Sequence, residues 1–144
     1  MLVAISRDRY FHLAFKVMTS YVECKYGQVF VYEERNPCSV YIRRGLTKTT
    51  EEQYNNKPYR FLILAEDAGK DSDGDIYDYN VIDESDIARN DPLLIEIIKE
   101  VGEENAGTED SEIKLVEIPD DVEWQIDCDN YGRECIVEKH RRWY

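Results

Sequence analysis

The chain has 144 residues and a formal net charge of −13 at pH 7, and this charge is unevenly distributed. Residues 1–60 hold 10 basic and 6 acidic residues, whereas residues 61–144 hold 8 basic and 25 acidic residues. The excess of acidic residues in the second half repels phosphate. It therefore disfavours direct nucleic-acid binding and favours basic protein partners. The length suits one domain, or two small lobes that share a core, and either folds without disulfides or metals.

The sequence contains no segment suited to a membrane or to secretion. No apolar run approaches the roughly 18 residues of a membrane-spanning helix. The N-terminal segment carries its charges after its apolar stretch, so we expect no signal peptide. The four cysteines, at 24, 38, 128 and 135, lack CxxC spacing and are expected to be reduced thiols of a cytosolic protein.

A strand and a helix are predicted at the start of the chain. Residues 2–5 form a short apolar run that favours a strand, and Ser6 is a candidate N-cap with Asp8 in the first turn. Apolar residues at helical spacing predict a core helix: Phe11, Ala14, Phe15, Met18, Tyr21 and Val22. Gly27 is expected to end this helix.

A hairpin and a further strand are predicted next. Residues 29–32 favour a strand, 34–37 a turn, and 38–44 the returning strand. Residues 45–58 are polar and predict a loop that is long for a compact domain. Residues 61–64, Phe-Leu-Ile-Leu, predict another buried strand.

An acidic segment and a second helix follow. Residues 66–86 carry many carboxylates and few apolar groups, which predicts a mobile acidic loop. Asn90 or Asp91 is expected to cap the helix, and Pro92 suits its first position. Its core stripe is Leu93, Leu94, Ile97, Ile98 and Val101. Gly102 or Gly107 is expected to end it.

The last third of the chain has the clearest strand pattern. Residues 113–118 favour a strand that Pro119 interrupts, and residues 122–126 alternate apolar with polar side chains. Residues 129–132, Asp-Asn-Tyr-Gly, predict a turn before a returning strand. Cys128 and Cys135 flank that turn, and a structural thiol pair is favoured over a redox switch.

These elements predict an α+β fold: a mainly antiparallel sheet of about six strands with two amphipathic helices packed on one face. We expect a single domain over residues 1–144. Within it, residues 1–66 hold a helix and antiparallel strands, 67–90 the acidic loop, and 91–144 a helix with a β-hairpin module.

The sequence favours neither an enzyme nor a cofactor. No known catalytic or phosphate-binding motif is present, and the two histidines, His12 and His140, are far apart. Residues 70–76 resemble the middle of a calcium loop with Gly74 at its sixth position, which places Asp71 and Asp73 at ligand positions. Gly69 and Asn80 then replace two strong ligands, so we expect no metal and keep calcium binding as an alternative.

Residues 140–144, His-Arg-Arg-Trp-Tyr, give the acidic half of the chain a basic, aromatic end. They are either an exposed contact point, since Arg, Trp and Tyr are enriched in interaction hot spots, or a tail that folds back onto the carboxylates.

Residues 91–143 also carry a resemblance. The segments DPLLIEIIKEVGE, IKLVEIPDDVEWQI and VEKHRRW are similar to a tail shared by many small open reading frames of bacteriophages and mobile elements. The resemblance covers just over a third of the chain and departs from the family pattern at residues 127–133 and at Arg142, where threonine is usual. It implies a phage gene expressed in a bacterial cytoplasm, and it carries over no functional residues.

The charge distribution and this resemblance together predict a non-enzymatic, anti-CRISPR-like inhibitor. We expect it to bind a host protein through that protein's basic, nucleic-acid-binding surface, as a partial nucleic-acid mimic. The candidate binding residues are the acidic ones of the loop and of the tail: Asp71, Asp73, Asp75, Asp78, Glu117, Asp120, Asp121 and Glu123. The alternatives are a structural or assembly module of phage origin, whose acidity only keeps it in solution, and a calcium-dependent binding module.

Overall fold

The computed structural model describes residues 1–35, 45–50, 61–72 and 79–139, and it has the α+β class that the sequence predicted. In chain order the elements are β1 Leu2–Ser6, α1 Phe15–Tyr26, β2 Phe30–Arg35, β3 Gly45–Lys48, β4 Phe61–Leu64, β5 Asp71–Ser72, β6 Val81–Ile82, a 3-10 helix Glu84–Asp86, α2 Pro92–Val101, α3 Glu103–Ala106, β7 Ile113–Glu117, β8 Trp124–Cys128 and β9 Glu134–Glu138. In these ranges, no helix is both long enough and apolar enough to cross a membrane.

The chain divides into two compact units. The first unit contains residues 1–17 and 87–144, and the second contains residues 18–86. The chain passes from one to the other within α1. A single domain stays a prediction, and each unit is described by itself below.

The first unit contains two antiparallel strand pairs. β1 pairs with β7 from Leu2 opposite Glu117 to Ser6 opposite Ile113. β8 pairs with β9 from Trp124 opposite Glu138 onward, which confirms the predicted hairpin. β1 is the buried centre of the unit, and both α2 and β9 contact it. The described strands therefore form separate antiparallel sheets within the predicted class.

The second unit contains a five-stranded antiparallel sheet in the order β5-β3-β2-β4-β6. Its centre is formed by the fully buried Tyr32 and Leu64. Partly buried side chains pack against them: Phe30, Leu62, Ala68, Tyr79 and Val81. The aromatic and aliphatic content of β2 and β4 explains why these strands lie in the middle of the sheet.

Three stretches that were predicted as loops are strands. Residues 45–48 pair with β2, residues 71–72 with β3, and residues 81–82 with β4. The loop predictions are wrong there because pairing satisfies backbone groups whatever the polarity of the side chains. The predicted returning strand, 38–44, lies outside the described residues, as do the rest of the polar segment at 51–60 and the terminal residues 140–144.

The first helix begins later than the sequence predicted. Ser6 is the last residue of β1, and its hydroxyl donates to the carbonyl of Asp8 at 2.8 Å. Leu13 forms an isolated bridge with Gly107, and the Ser111 hydroxyl donates to the carbonyl of His12 at 2.6 Å. These long-range contacts hold the approach to α1 outside the helix. The end of α1 is confirmed, since Gly27 follows it with φ of +87°.

Helix α2 begins and ends where the sequence predicted. The Asp91 carboxylate accepts from the amides of Leu93 at 2.9 Å and Leu94 at 3.4 Å, which caps the N-terminus. Gly102, with φ of +90°, follows the last residue. The buried stripe differs from the prediction in three residues: Ile95 is buried, whereas Leu93 and Val101 are only half-buried.

Candidate functional site

The acidic residues predicted for the tail lie along the connection between β7 and β8. Glu117 is the last residue of β7, Asp120 and Asp121 lie in the connection, and Glu123 directly precedes β8. All four side chains are exposed. These four residues are called the acidic rim. The strand ends here because Pro119 has no N–H to extend the ladder.

The rim has few cationic partners. The Asp120 carboxylate lies 2.8 Å from the amino group of Met1, yet its side chain is 87% exposed. No ion pair among the described residues holds Glu117, Asp121 or Glu123. An exposed carboxylate without a partner keeps its full charge available to an approaching cation.

Two of the three basic residues near the rim in sequence pair with carboxylates outside it. Residues 103–139 contain thirteen acidic and three basic residues. Lys114 lies 3.5 Å from the carboxylate of Glu103, and Arg133 lies 2.7 Å from that of Asp129. Local pairing therefore cancels little of the negative charge on this part of the first unit.

The predicted acidic loop is described only in part. Asp71 is the first residue of β5 and pairs in register with Thr47. Asp73, Asp75 and Asp78 lie outside the described residues. Asp71 belongs to the second unit, and the rim belongs to the first. A shared binding surface made by both groups therefore stays a prediction.

A carboxylate organises the turn of the β8–β9 hairpin, at the opposite end of β8 from the rim. Asp129 accepts from the amides of Tyr131 at 2.9 Å and Arg133 at 3.0 Å, and from the Arg133 Nε–H at 2.7 Å. Desolvation acts to raise the pKa of Asp129, but these bonds together lower it. Gly132 has φ of +81°, which suits the left-handed position of such a turn. The predicted turn is confirmed.

An ion pair that the sequence did not reveal anchors this hairpin to β1. Both terminal nitrogens of Arg89 bind the carboxylate of Glu134, at 2.7 and 2.9 Å. The amide of Ser6 donates to the same carboxylate at 2.8 Å, and Arg89 donates to the carbonyl of Ala4 at 3.2 Å. The guanidinium lies 3.5 Å from the ring centroid of Phe11. The pair is thus hydrogen-bonded, stacked and largely shielded from water.

The second unit has a polar cluster at its sheet. The Tyr32 hydroxyl donates to Asp67 at 3.1 Å and accepts from the amide of Ala68 at 2.9 Å. Asp67 also accepts from the amide of Gly69 at 2.8 Å and pairs with Lys48 at 2.8 Å. The contacts of Tyr32 and Lys48 join β2 and β3 to the segment after β4, and the Gly69 amide orders that segment itself.

The electrostatics of this cluster follow from those contacts. The hydrogen bond from Lys48 and the amide of Gly69 lower the pKa of Asp67. The bond to Asp67 raises the pKa of Lys48, and burial raises the pKa of Tyr32. These contacts tie the segment after β4 to the sheet.

The cysteine prediction is wrong. Cys128 lies opposite Glu134, and Cys135 lies opposite Asp127. The two cysteines are therefore offset by one position, and their side chains project from opposite faces of the hairpin. Both are free and exposed. A thiol pair across this hairpin is excluded by the register.

No metal-binding cluster forms within the described ranges: no group of three or more His, Cys, Asp or Glu residues is placed to hold an ion. Of the candidate calcium ligands, Asp71 is in β5, and Asp73 lies outside those ranges. Calcium binding stays a prediction.

Comparison with known proteins adds no relative: no family model, curated protein or solved structure is similar to this chain.

Proposed function

We propose that the chain is a non-enzymatic, phage-type inhibitor that binds a basic surface of a host defence or nucleic-acid-handling protein. It would occupy a surface that normally carries nucleic acid, as an anti-CRISPR protein can, in the cytoplasm of a bacterial host. The observation that carries the proposal is the acidic rim, whose four carboxylates are exposed along one short connection.

The rim supports contact with a protein cation and not with nucleic acid. Unit charges of opposite sign attract over about 8 Å at physiological ionic strength, and exposed pairs beyond that distance are screened. Complementary charges mainly raise the association rate and select among partners. An acidic rim on an acidic unit repels phosphate and favours lysine- or arginine-rich surfaces.

The rim can mimic only a short stretch of nucleic acid. The rim covers residues 117–123, at most about 20 Å at roughly 3.3 Å per residue, since the chain turns at residues 120–122. Duplex DNA presents one charge per about 1.7 Å of axis, or about 12 charges over this length. Four carboxylates supply about a third of that charge. The rim can therefore occupy a basic patch, whereas a full duplex footprint needs further carboxylates.

Charge reversal tests the proposal against a matched control. The rim variant carries E117K, D120K, D121K and E123K. The control variant carries E96K, E100K, E104K and E109K, four exposed acids of the same unit, and has the same net charge. Exposed pairs contribute about 0.2–1 kcal/mol each, so we expect the rim variant to bind at least about tenfold more weakly and the control variant less than about threefold.

The measurement begins with capture of host proteins on the immobilised chain at low and high salt. The affinity of the purified partner is then measured for all three proteins. Binding that weakens with salt and with rim reversal supports the proposal. Equal loss in both variants would mean that net charge alone matters, and binding indifferent to salt and to reversal contradicts the proposal.

One observation favours the alternative of an assembly module. Tyr10 and Tyr131 are 62% and 70% exposed, and a Cβ added at Gly132 of the hairpin turn would lie 2.9 Å from the Tyr10 ring. Tyrosines of this kind suit an apolar, salt-insensitive contact. Salt-insensitive binding that Y10A and Y131A abolish would favour this function over the first.

A further inference from the structure

The register of the β8–β9 hairpin sets which backbone groups of β8 face away from β9. The amide of Lys139 donates to the carbonyl of Glu123 at 2.8 Å, and the amide of Asp129 donates to the carbonyl of Arg133 at 3.0 Å. In an antiparallel ladder hydrogen-bonded pairs alternate along the strands. The N–H and C=O groups of Gln125 and Asp127 therefore face β9, and those of Trp124, Ile126 and Cys128 face outward.

The outward groups lack partners among the described residues. No described residue hydrogen-bonds to the main-chain N–H or C=O of Trp124, Ile126 or Cys128. The other strand, β9, contacts β1 and is joined to it through Glu134. β9 is thus the strand of the hairpin that is held at β1, and β8 forms the other edge of this two-stranded sheet.

The two faces of β8 differ in chemistry. Glu123, Gln125 and Asp127 share one face and are exposed, whereas Trp124 and Ile126 are half-buried on the other. A strand that pairs with this edge would have cations opposite the acidic face and apolar side chains opposite the other.

A second copy of the chain does not fit this edge. We considered two β8 strands paired antiparallel about a two-fold axis centred on any of their five residues. Each register opposes like charges: Asp121 with Asp127, Glu123 with Asp127, Glu123 with Asp129, Asp127 with itself, or Asp127 with Asp129. Directly opposed like charges are destabilising in sheets, and natural edge strands use charge to prevent self-pairing.

We infer that the outer edge of β8 binds an extended, basic segment of the partner as an added antiparallel strand. This deepens the proposed function and rests on it, because it states how the acidic surface recognises a basic protein. Main-chain hydrogen bonds supply affinity in strand addition, and alternate side chains supply specificity. Here the alternating feature is a cation every second residue.

The register predicts which amides of the added strand matter. Residues that pair with Trp124, Ile126 and Cys128 have apolar side chains and turn their amides toward β8. In a short peptide that alternates lysine and valine, the valine amides therefore face β8, and the lysine amides face away. N-methylation of the valines is expected to weaken binding at least about tenfold, since each lost bond is worth about 1 kcal/mol. N-methylation of the lysines is expected to change it less than about threefold.

Hydrogen exchange of the whole chain locates the peptide. On binding, exchange of the outward amides of Trp124, Ile126 and Cys128 is expected to slow at least about tenfold. The amides of Gln125 and Asp127, which already pair with β9, are the internal control. Peptide binding with no change at the outward amides overturns strand addition.

A chain variant gives an independent test. I126P removes one outward N–H and keeps every charge, and proline is tolerated at such edge positions. I126A removes comparable packing and keeps the N–H. We expect I126P to bind the peptide at least about tenfold more weakly than I126A. If I126P does not fold, the two N-methylated peptides on the unaltered chain decide the question.

The outcomes separate the two proposals. If no basic peptide binds and no basic partner is captured, the proposed function fails. If the peptide binds in a salt-sensitive manner but ignores I126P and valine methylation, only strand addition fails. A homodimer that protects the same three amides also overturns it.

Discussion

Each unit contains an ion pair that ties strands together, and the two pairs have opposite surroundings. Arg89 and Glu134, in the first unit, have side chains 23% and 9% exposed. Lys48 and Asp67, in the second, have side chains 36% and 51% exposed. Similar chemistry therefore serves different purposes: the shielded pair fixes an arrangement of strands, and the exposed pair adds little to stability at physiological salt.

The largest loss of stability is expected when the shielded Arg89–Glu134 pair is broken. E134A leaves the Arg89 guanidinium without its carboxylate and the Ser6 amide without its acceptor. Breaking one partner of a buried pair costs about 3–5 kcal/mol. Chemical denaturation should show this loss in the free energy of unfolding, and the double variant R89L/E134L should lose less than E134A. A loss below about 1 kcal/mol in E134A would contradict the structural role.

The second-largest loss of stability is expected from a substitution in the hairpin turn beside that pair. A Cβ on Gly132 would lie 2.8 Å from the backbone of Arg9, at φ of +81°. Gly27, in the second unit, has φ of +87° with nothing within 4 Å of such a Cβ. G132A therefore combines a steric clash with backbone strain, whereas G27A has only the strain, about 1–2 kcal/mol.

Thermal unfolding of the two glycine variants separates these costs. G132A is expected to be destabilised by more than G27A, because rigid backbone and not a flexible side chain opposes the new methyl group. Equal destabilisation would show that the hairpin can shift away from Arg9, and that its position on β1 is loosely held.

The smallest loss of stability is expected when the exposed Lys48–Asp67 pair is broken, and this loss depends on pH. The pKa of Asp67 is lowered in the folded protein by Lys48 and by the amide of Gly69. Its contribution to stability is therefore present above the ordinary carboxyl pKa and is lost as the pH falls through the lowered value. D67N should be slightly less stable than the unaltered chain at neutral pH, and the difference should shrink in acid.

Unfolding curves of D67N and the unaltered chain between neutral and acidic pH check this sign, with K48M as the companion variant. High salt should also reduce the difference. A stability difference between D67N and the unaltered chain that grows as the pH falls would contradict the assignment of Asp67 as the favoured anion of the cluster.

Local signals in the sequence predicted much of the fold. The Asp91–Pro92 start of α2, its end at Gly102 and the alternation of β8 depend on neighbouring residues, so short windows reveal them. The pairing of residues 45–48 with β2 depends on tertiary contacts that the short segment Gly-Leu-Thr-Lys does not indicate. Arg89 and Glu134 lie 45 residues apart, and no pattern in the sequence links them.

The candidate site also has a part that the sequence predicted and a part that it did not. Composition and clustering predicted the rim, because charge is visible in the sequence. The outward edge of β8 depends on the register of the hairpin, which sets which amides of Trp124 and Ile126 face away from β9. Alternation predicts the faces of a strand but not the direction of its free hydrogen bonds.

The most direct test is competition on the purified host partner. A labelled nucleic acid bound to that protein is titrated with the unaltered chain, the rim variant and the control variant. Release at near-stoichiometric amounts by the unaltered chain and the control variant is expected, with at least about tenfold more rim variant required. A stable ternary complex, or equal release by both variants, would contradict occupation of the nucleic-acid surface by the rim.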